Sequence, residues 1–328
     1  MSYNGRLGSA SSERGFNARI LYLGVDASIV TALPPNSEVG SYISGDGTYL
    51  AGFVYNTTVQ ASFPARRLGT QVEVLTTTYR GKASAINGDG SVIAAFAEYP
   101  FGPGPRYVAY RWTPANGVQF LVDPFDPNIF HTDIKAMSSD ASVMCGVADD
   151  VNTGTFAFRW TAAQGIQHLP MPADTTFAAA TGMSSDGRLI VGTIHESGVV
   201  NQVMWTPDGM IDMGRAVVNA EHPFAISRTG VAVLGGDQPS SGTAAIWSAQ
   251  TGRVDLDDYL RGFGVDVPNN WLLWSCRAIS DDGLTFSGTA LLPDGSHRGF
   301  VATVPSPISV SLFAMMVGCT SLPRRRRS

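Results

Sequence analysis

Short apolar segments alternate with turn residues along most of this chain, and they recur in the same order. An apolar segment precedes each turn, as at Ala83–Ile86, and another follows it, as at Leu189–Gly192. Short apolar runs bounded by Gly, Asp and Ser are typical of antiparallel β-hairpins. The predicted turns are SGDG (44–47), NGDG (87–90), SSDA (138–141), SSDG (184–187), SRTG (227–230) and SDDG (280–283).

The spacing of these turns indicates a repeat architecture. Their last residues are 47, 90, 141, 187, 230 and 283, so the period runs from 43 to 53 residues. Self-similarity at a period of this length is the signature of a propeller or solenoid. Within each turn, a Ser or Asn side chain bonds nearby backbone, Asp is a common turn residue, and Gly accepts a positive φ without strain.

Two further strands follow each hairpin. The third strand ends at a tryptophan in four copies: Trp112, Trp160, Trp205 and Trp247. Fourth strands are predicted at 72–75, 117–121, 165–169, 209–213 and 253–256. Four short strands rich in aromatic and β-branched residues match a propeller blade. Because the tryptophans recur at one structural position, we expect them to fill the core between blades.

The sixth copy has no fourth strand after Ala302, but residues 19–23 carry a matching pattern. We therefore predict an all-β fold, a β-propeller of six four-stranded blades closed by this N-terminal strand. Pairing of 19–23 with the strand around 298–303 would leave no open edge. An open β-solenoid is the alternative. The predicted domains are a flexible N-terminus (1–18), the propeller (19–303) and a C-terminal tail (304–328).

Composition excludes several classes of function. Net charge is −5, and four arginines lie at the C-terminus, so the body is more acidic still. Nucleic acid is therefore not expected as a partner, because phosphate binding needs a basic surface. The three cysteines, Cys145, Cys276 and Cys319, are too few and too scattered for a disulfide framework or a zinc site. Each Asp-Gly turn offers one carboxylate, whereas calcium takes six or more oxygens, so we expect neither metal nor cofactor.

The repeat also resembles a known sequence family. The segments GMSSDGRLIVG (182–192) and YVAYRWTPANGVQFL (107–121) are similar to the HAF repeat of bacterial extracellular proteins. The segment at 255–283 resembles the closing unit of that family. The resemblance covers about residues 19–303 and implies an extracellular location. It implies no catalytic residues.

The C-terminal tail resembles a PEP-CTERM sorting signal, with a Pro-x-Pro motif, an apolar stretch and a terminal arginine cluster. Ser306 stands where Glu is usual, and the apolar run 308–322 is shorter than the roughly 20 residues that span a bilayer. The resemblance implies a transient membrane anchor and an exosortase-type sorting enzyme as partner. No signal peptide is visible, so we expect the natural start to lie upstream or to have been trimmed. The matching residues are Val304, Pro305, Ser306, Pro307, Arg324, Arg325, Arg326 and Arg327.

Two groups of connections define two faces of the predicted fold. Turns between strands one and two, and between three and four, share the turn face. Longer and more variable connections share the opposite side, the loop face. They join strand two to strand three within a unit, and strand four to strand one of the next unit. Variable loops on a rigid scaffold usually carry function, so we predict binding on the loop face. The candidate binding residues are His131, His195, His222, His297, Asp133 and Glu221.

No nucleophile elbow, phosphate-binding loop or metal-ligand spacing occurs in the sequence. We therefore expect a non-enzymatic binding or matrix scaffold at the cell surface, with extracellular polysaccharide or matrix as its candidate partner. The alternative is a propeller hydrolase or lyase that acts on extracellular polysaccharide with His and acidic side chains of the loop face.

Overall fold

The computed structural model describes residues 7–10, 19–22, 37–69, 71–99, 106–124, 126, 128–216, 221–236 and 243–305. Strands make up most of these residues, and the helix they contain is α1 (Leu256–Gly262). Within the described ranges, no helix is both long enough and apolar enough to cross a membrane. The prediction of an all-β fold is confirmed.

The strands form consecutive antiparallel units in chain order. The N-terminal pair is β1 (Leu7–Ala10) and β2 (Arg19–Tyr22). Unit 1 contains β3 (Ser37–Ile43), β4 (Tyr49–Asn56), β5 (Ala61–Leu68) and β6 (Gln71–Val74). Unit 2 contains β7 (Arg80–Ile86), β8 (Ile93–Tyr99), β9 (Arg106–Thr113) and β10 (Gly117–Phe120). Unit 3 contains β11 (Ile129–Met137), β12 (Val143–Asp150), β13 (Gly154–Thr161) and β14 (Gly165–His168).

The later units repeat this order. Unit 4 contains β15 (Thr175–Met183), β16 (Ile190–Glu196), β17 (Val199–Thr206) and β18 (Gly209–Arg215). Unit 5 contains β19 (Glu221–Ile226), β20 (Ala232–Gly236), β21 (Ala245–Ser248) and β22 (Gly252–Asp255). Unit 6 contains β23 (Leu272–Ile279), β24 (Thr285–Leu291) and β25 (His297–Thr303). The predicted fourth strands therefore coincide with β6, β10, β14, β18 and β22.

The predicted closing strand pairs elsewhere. Residues Arg19–Tyr22 pair with Leu7–Ala10, and among the described residues β25 pairs with β24 alone. The predicted pairing of 19–23 with 298–303 is therefore wrong in this structure, and unit 6 has three described strands. Pairing with a neighbouring segment closes a much shorter loop than pairing with a strand at the other end of the chain, so it costs less entropy. The segment predicted as a flexible N-terminus also contributes β1 to this hairpin.

The hairpin turns share one hydrogen-bond pattern that explains their sequence. In the fourth turn, Ser184 Oγ donates to Asp186 Oδ1 over 2.7 Å, and the N–H of Arg188 donates to the same oxygen. The Ser184 hydroxyl in turn accepts the N–H of Leu189. Equivalent bonds recur in the other Asp-containing turns. The third turn departs from the pattern, because Ala141 holds a positive φ of 58° where the other turns have glycine.

The tryptophans fill the seams between consecutive units, as predicted. Trp112, Trp160, Trp205 and Trp247 are all buried. Five clusters of buried apolar residues each combine side chains from two consecutive units, from units 1 and 2 through to units 5 and 6. Arg66 of unit 1 lies over the Trp112 ring of unit 2, with its guanidinium carbon 4.8 Å from the ring centroid.

Each inner strand, the first of its unit, carries a register shift at the same level. In unit 3 the shift falls between Ile134 and Ala136, so Lys135 is the extra residue. Equivalent shifts occur in the inner strands of the other five units. Such bulges bend a strand and redirect side chains. They place Lys135 and Arg277 at exposed positions on the inner strands.

Candidate functional site

A continuous row of side chains crosses units 2 to 4 at the loop face. Within a unit, successive residues of the row are antiparallel cross-strand partners. Between units, a single parallel pair makes the link: Tyr107 pairs with His131, and Thr155 pairs with Phe177. All six side chains are partly exposed. We call this row the loop-face strip: Tyr107, His131, Asp149, Thr155, Phe177 and His195.

The centre of the strip is an oriented histidine. His131 Nδ1 lies 3.1 Å from Asp149 Oδ2, and Thr155 Oγ1 donates to Asp149 Oδ1 over 2.6 Å. Because the carboxylate accepts both bonds, the proton of neutral His131 lies on Nδ1 and Nε2 is left as an acceptor. The His131 and Asp149 side chains are 30% and 24% exposed, so a ligand on the loop face can reach them.

Aromatic rings flank this centre on both sides. Tyr107 contacts the His131 ring edge-on, at a centroid distance of 6.1 Å. At the other end, Phe177 and His195 lie 4.6 Å apart. Phe130, beside His131, is 43% exposed. The strip thus has aromatic rings on both sides of a central run of hydrogen-bonding groups.

The other predicted binding residues lie outside this strip. Asp133 is on the same strand as His131, where its carboxylate binds Lys135 Nζ at 2.6 Å. Its Oδ1 atom is buried and has no hydrogen-bond partner among the described residues. His297 belongs to unit 6, where it packs against Trp274 at 4.8 Å. His222 and Glu221 belong to β19, and their side chains lie outside the described part of the structure.

Asp133 of unit 3 lies close enough to Tyr42 of unit 1 to affect the pKa of its phenol. Tyr42 is 37% exposed. Its partial desolvation raises the pKa, and the negative charge of Asp133 raises it further. Tyr42 belongs to the inner strand of unit 1 and Asp133 to that of unit 3.

A second feature, on the turn face, was missed by the sequence analysis. The hairpin turns of all six units line one open pocket of about 950 Å³. Neighbouring turns are hydrogen-bonded: the N–H of Gly88 donates to Ser139 O, and the N–H of Ser139 donates to Ser185 O. Arg228 pairs with Asp281 at 3.3 Å. The carboxylates that line the pocket are Asp46, Asp89, Asp140, Asp186, Asp281 and Asp282.

All of these carboxylates except Asp281, which pairs with Arg228 of unit 5, accept hydrogen bonds within their own turns. The hydrogen bond from Ser138, followed by bonds from the backbone and side chain of Ser142, holds the pKa of Asp140 below its usual range. A lowered pKa suits a structural acceptor, whereas a general acid needs a raised one. In the described residues, no three His, Cys, Asp or Glu side chains come together in a way that holds a metal ion.

The thiols offer no nucleophile within the described residues. Cys145 and Cys276 are buried in the core. Burial raises the pKa of Cys145, and it raises that of Cys276 to about 12. Both thiols are therefore protonated and unreactive near neutral pH.

The sequence contained a usable signal for the His131–Asp149 pair. Each residue is next to an end of a predicted strand on the loop face, and unit 4 carries His195 at the position equivalent to Asp149. What the sequence could not supply was the register, since a shift of one residue turns either side chain to the other face.

Comparisons with known proteins give the fold and nothing more specific. No family model matches the sequence, and no curated protein matches it. Among solved structures, the chain is similar to an oligogalacturonate lyase in complex with manganese, with a TM-score of 0.58, 12% identity, and coverage of 94% of this chain and 89% of that one. It is also similar to Kuenenia stuttgartiensis hydrazine synthase, with a TM-score of 0.55, 13% identity, and coverage of 93% and 95%.

TolB from Acinetobacter baumannii is a third structure of this kind, with a TM-score of 0.54 and 15% identity. The alignment covers 77% of this chain but only 63% of the TolB chain. At such low identity, the similarity shows architecture alone. The chain has an all-β fold whose structural neighbours are β-propellers.

Proposed function

We propose that the six units close into a six-bladed ring. The supporting observation is the turn-face pocket, because turns of units 1 and 6 line it together with those of units 2 to 5. An open solenoid keeps its first and last repeats apart, so they would not share a pocket. In this proposal, unit 6 packs beside unit 1 without the N-terminal strand that the sequence suggested.

We further propose that the ring is a non-enzymatic binding scaffold that uses the loop-face strip. The observation that carries this proposal is the strip itself, in which aromatic surfaces and hydrogen-bonding groups stand in register on six strands. Ring surfaces and oriented polar groups are what a neutral, hydroxyl-rich ligand such as a polysaccharide needs. The Thr155 hydroxyl donates to Asp149, so it lies on the carboxylate side of the His131–Asp149 pair and not at the imidazole.

A second candidate, a hydrolase or lyase acting on extracellular polysaccharide, is favoured by one observation. The His131–Asp149 pair leaves Nε2 of an oriented imidazole accessible, and such a group can act as a general base. Among the described residues, no carboxyl group besides Asp149 contacts His131, so no second carboxyl group is shown in place as the acid. This candidate therefore ranks below binding.

A binding and turnover assay on an array of polysaccharides separates the two candidates. We expect the full chain to bind at least one polysaccharide without releasing reducing ends or unsaturated products. Replacing both strip histidines, His131→Ala with His195→Ala, should weaken binding about tenfold or more, because it removes an oriented acceptor and a ring contact.

The matched control is Asp186→Ser, which changes the opposite face and should leave binding unchanged. Product release that disappears in His131→Ala, with the melting temperature of the variant unchanged, would establish the enzyme instead. Binding that survives in the double variant but is lost in Asp186→Ser would contradict the assignment to the loop-face strip.

We also propose that the chain is an extracellular or surface protein sorted through its C-terminal tail. The resemblance of 304–328 to a sorting signal supports this, and so does the exposed position of Pro305 at the end of unit 6. Val304, however, is buried in the core of units 5 and 6, so the first residue of the predicted tail packs against the fold. Residues 306–328 lie outside the described part of the chain.

Sorting makes a prediction about the mature protein. If an exosortase-type enzyme processes the tail, the protein recovered from the surface of its native host should lack Arg324–Arg327. Intact-mass measurement of surface and cytoplasmic fractions tests this. A surface protein that still ends in the four arginines would refute processing, and a protein confined to the cytoplasm would refute sorting.

A further inference from the structure

Two Asn-Gly dipeptides occur in turns of this fold, and the structure gives them opposite environments. Asn87-Gly88 opens the inner turn of unit 2, and Asn116-Gly117 ends the turn between β9 and β10. The third such dipeptide, Asn4-Gly5, lies outside the described residues. Asn-Gly is the sequence in which the backbone nitrogen of the second residue most easily attacks the asparagine side chain, because glycine has no Cβ to hinder the approach.

Both polar atoms of the Asn87 side chain, Nδ2 and Oδ1, are hydrogen-bonded. Its Nδ2 donates to Asp89 Oδ1 over 2.8 Å and to Ser91 Oγ over 3.3 Å, and its Oδ1 accepts the N–H of Val92. The residue is only 4% exposed. The attacking atom is engaged as well, because the N–H of Gly88 donates to Ser139 O of the next unit over 2.8 Å.

Asn116 has none of these restraints on its side chain. It is exposed, and its side chain has no hydrogen bond to any residue that the structure describes. A Cβ placed on Gly117 would meet no atom within 4 Å, so the space around the attacking residue is open. The backbone N–H of Asn116 is held only by Thr113 Oγ1, at 3.1 Å.

The two turns also differ in what must open before the attack. The Asn116 turn leads into β10, a four-residue outer strand whose one partner in the described part of the chain is β9. Short edge elements open locally at little cost in free energy. The Asn87 turn lies between the turns of units 1 and 3 and is bonded to both, since Gly88 O accepts the N–H of Asp46. Its opening would disturb three units.

From this contrast we propose that Asn116 is a site of spontaneous deamidation in the folded protein and that Asn87, with the same dipeptide sequence, is protected. The Gly117 nitrogen loses its proton to base and bonds to Cγ of Asn116, while Nδ2 leaves as ammonia. Water then opens the resulting succinimide at one of its two carbonyls. The product is aspartate or isoaspartate at position 116.

The product would weaken the outer edge of unit 2. Either product adds a negative charge, and isoaspartate also adds one carbon to the backbone at the end of the hairpin. The register of β10 places Val118 and Phe120 against the core of units 1 and 2. A longer backbone at position 116 shifts that register and loosens these contacts.

The test is peptide mapping by mass spectrometry after the full chain has been incubated at mildly alkaline pH. In the folded protein, we expect Asn116 to convert at least about tenfold faster than Asn87, because only its turn opens locally. In concentrated urea, the two sites should convert at similar rates, which controls for intrinsic sequence effects. Asn116→Gln should abolish the conversion at 116 and leave Asn87 unchanged.

Two results would overturn the proposal. Equal conversion of Asn87 and Asn116 in the folded protein would show that the inter-turn bonds give no protection. An Asn116 that stays intact in the folded chain while it converts in urea would show that its own turn is the protected one.

Discussion

Gly146→Ala should destabilise the protein by about 3 kcal/mol or more, as overpacking against rigid backbone does in a core. Gly146 is buried on β12, opposite Ile134 at the bulge of β11. A Cβ at this position would lie 1.9 Å from Asp133 O and 2.9 Å from Asp133 C. Both are backbone atoms of a strand that neighbouring strands hold in place, so neither can move aside cheaply.

The same constraint recurs in two other units. A Cβ would lie 2.0 Å from Ala179 O at Gly192 and 1.8 Å from Ser275 O at Gly288. These glycines therefore permit the close approach that each bulge creates, and alanine at either position should behave like Gly146→Ala.

Chemical unfolding of the full chain, followed by circular dichroism, measures the effect. The control is Gly262→Ala in α1, where an added Cβ meets nothing within 4 Å. This change should be neutral or stabilise the protein by about 0.5 kcal/mol, because alanine loses less backbone entropy than glycine. If Gly146→Ala unfolded at the same denaturant concentration as the parent, the packing at the bulges would differ from that described.

These glycines also show where sequence reasoning reached its limit. The turn glycines were interpretable, because Gly after Ser-x-Asp signals a positive φ, and Gly187 and Gly283 adopt one. Gly146, Gly192 and Gly288 lie inside strands, where glycine signals a bulge or a close backbone approach. That signal was present, but the partner carbonyl belongs to another strand, and only the register identifies it.

The candidate site was also predictable only in part, because the sequence gives the face of a residue but not its cross-strand partner. Strand order assigned His131 and His195 to one face, and the structure brings them into a single strip. The Asp149 partner of His131 depended on cross-strand register, which periodicity leaves open by one residue. The turn-face pocket was missed because each turn was judged alone, whereas the pocket is lined by turns of all six units together.

The N-terminal pairing was wrong for a different physical reason. The pattern of residues 19–23 fits a fourth strand, but any amphipathic strand also fits a local partner. Leu7–Ala10 supplies one only a few residues away. Pattern alone does not choose between the two pairings, because the deciding quantity is loop-closure entropy.

Ring closure is the central claim of this account, and it predicts the order of three distances between turns. Spin labels on Thr48 and Asp282 measure the distance between units 1 and 6. Labels on Thr48 and Ser91 measure the distance between units 1 and 2, and labels on Thr48 and Arg188 measure that between units 1 and 4. All four positions are exposed. Cys145 and Cys276 are buried, so replacing Cys319 with serine leaves the introduced thiols as the accessible ones.

Electron paramagnetic resonance on these three pairs is the most direct test, with dipolar broadening of continuous-wave spectra for short distances and double electron–electron resonance for long ones. In a closed ring, units 1 and 6 are neighbours at a sheet spacing of about 10 Å. The 48–282 distance should then match the 48–91 distance and be shorter than the 48–188 distance. An open stack of six sheets would instead separate units 1 and 6 by about 50 Å. A 48–282 distance that is the longest of the three would contradict the closed ring.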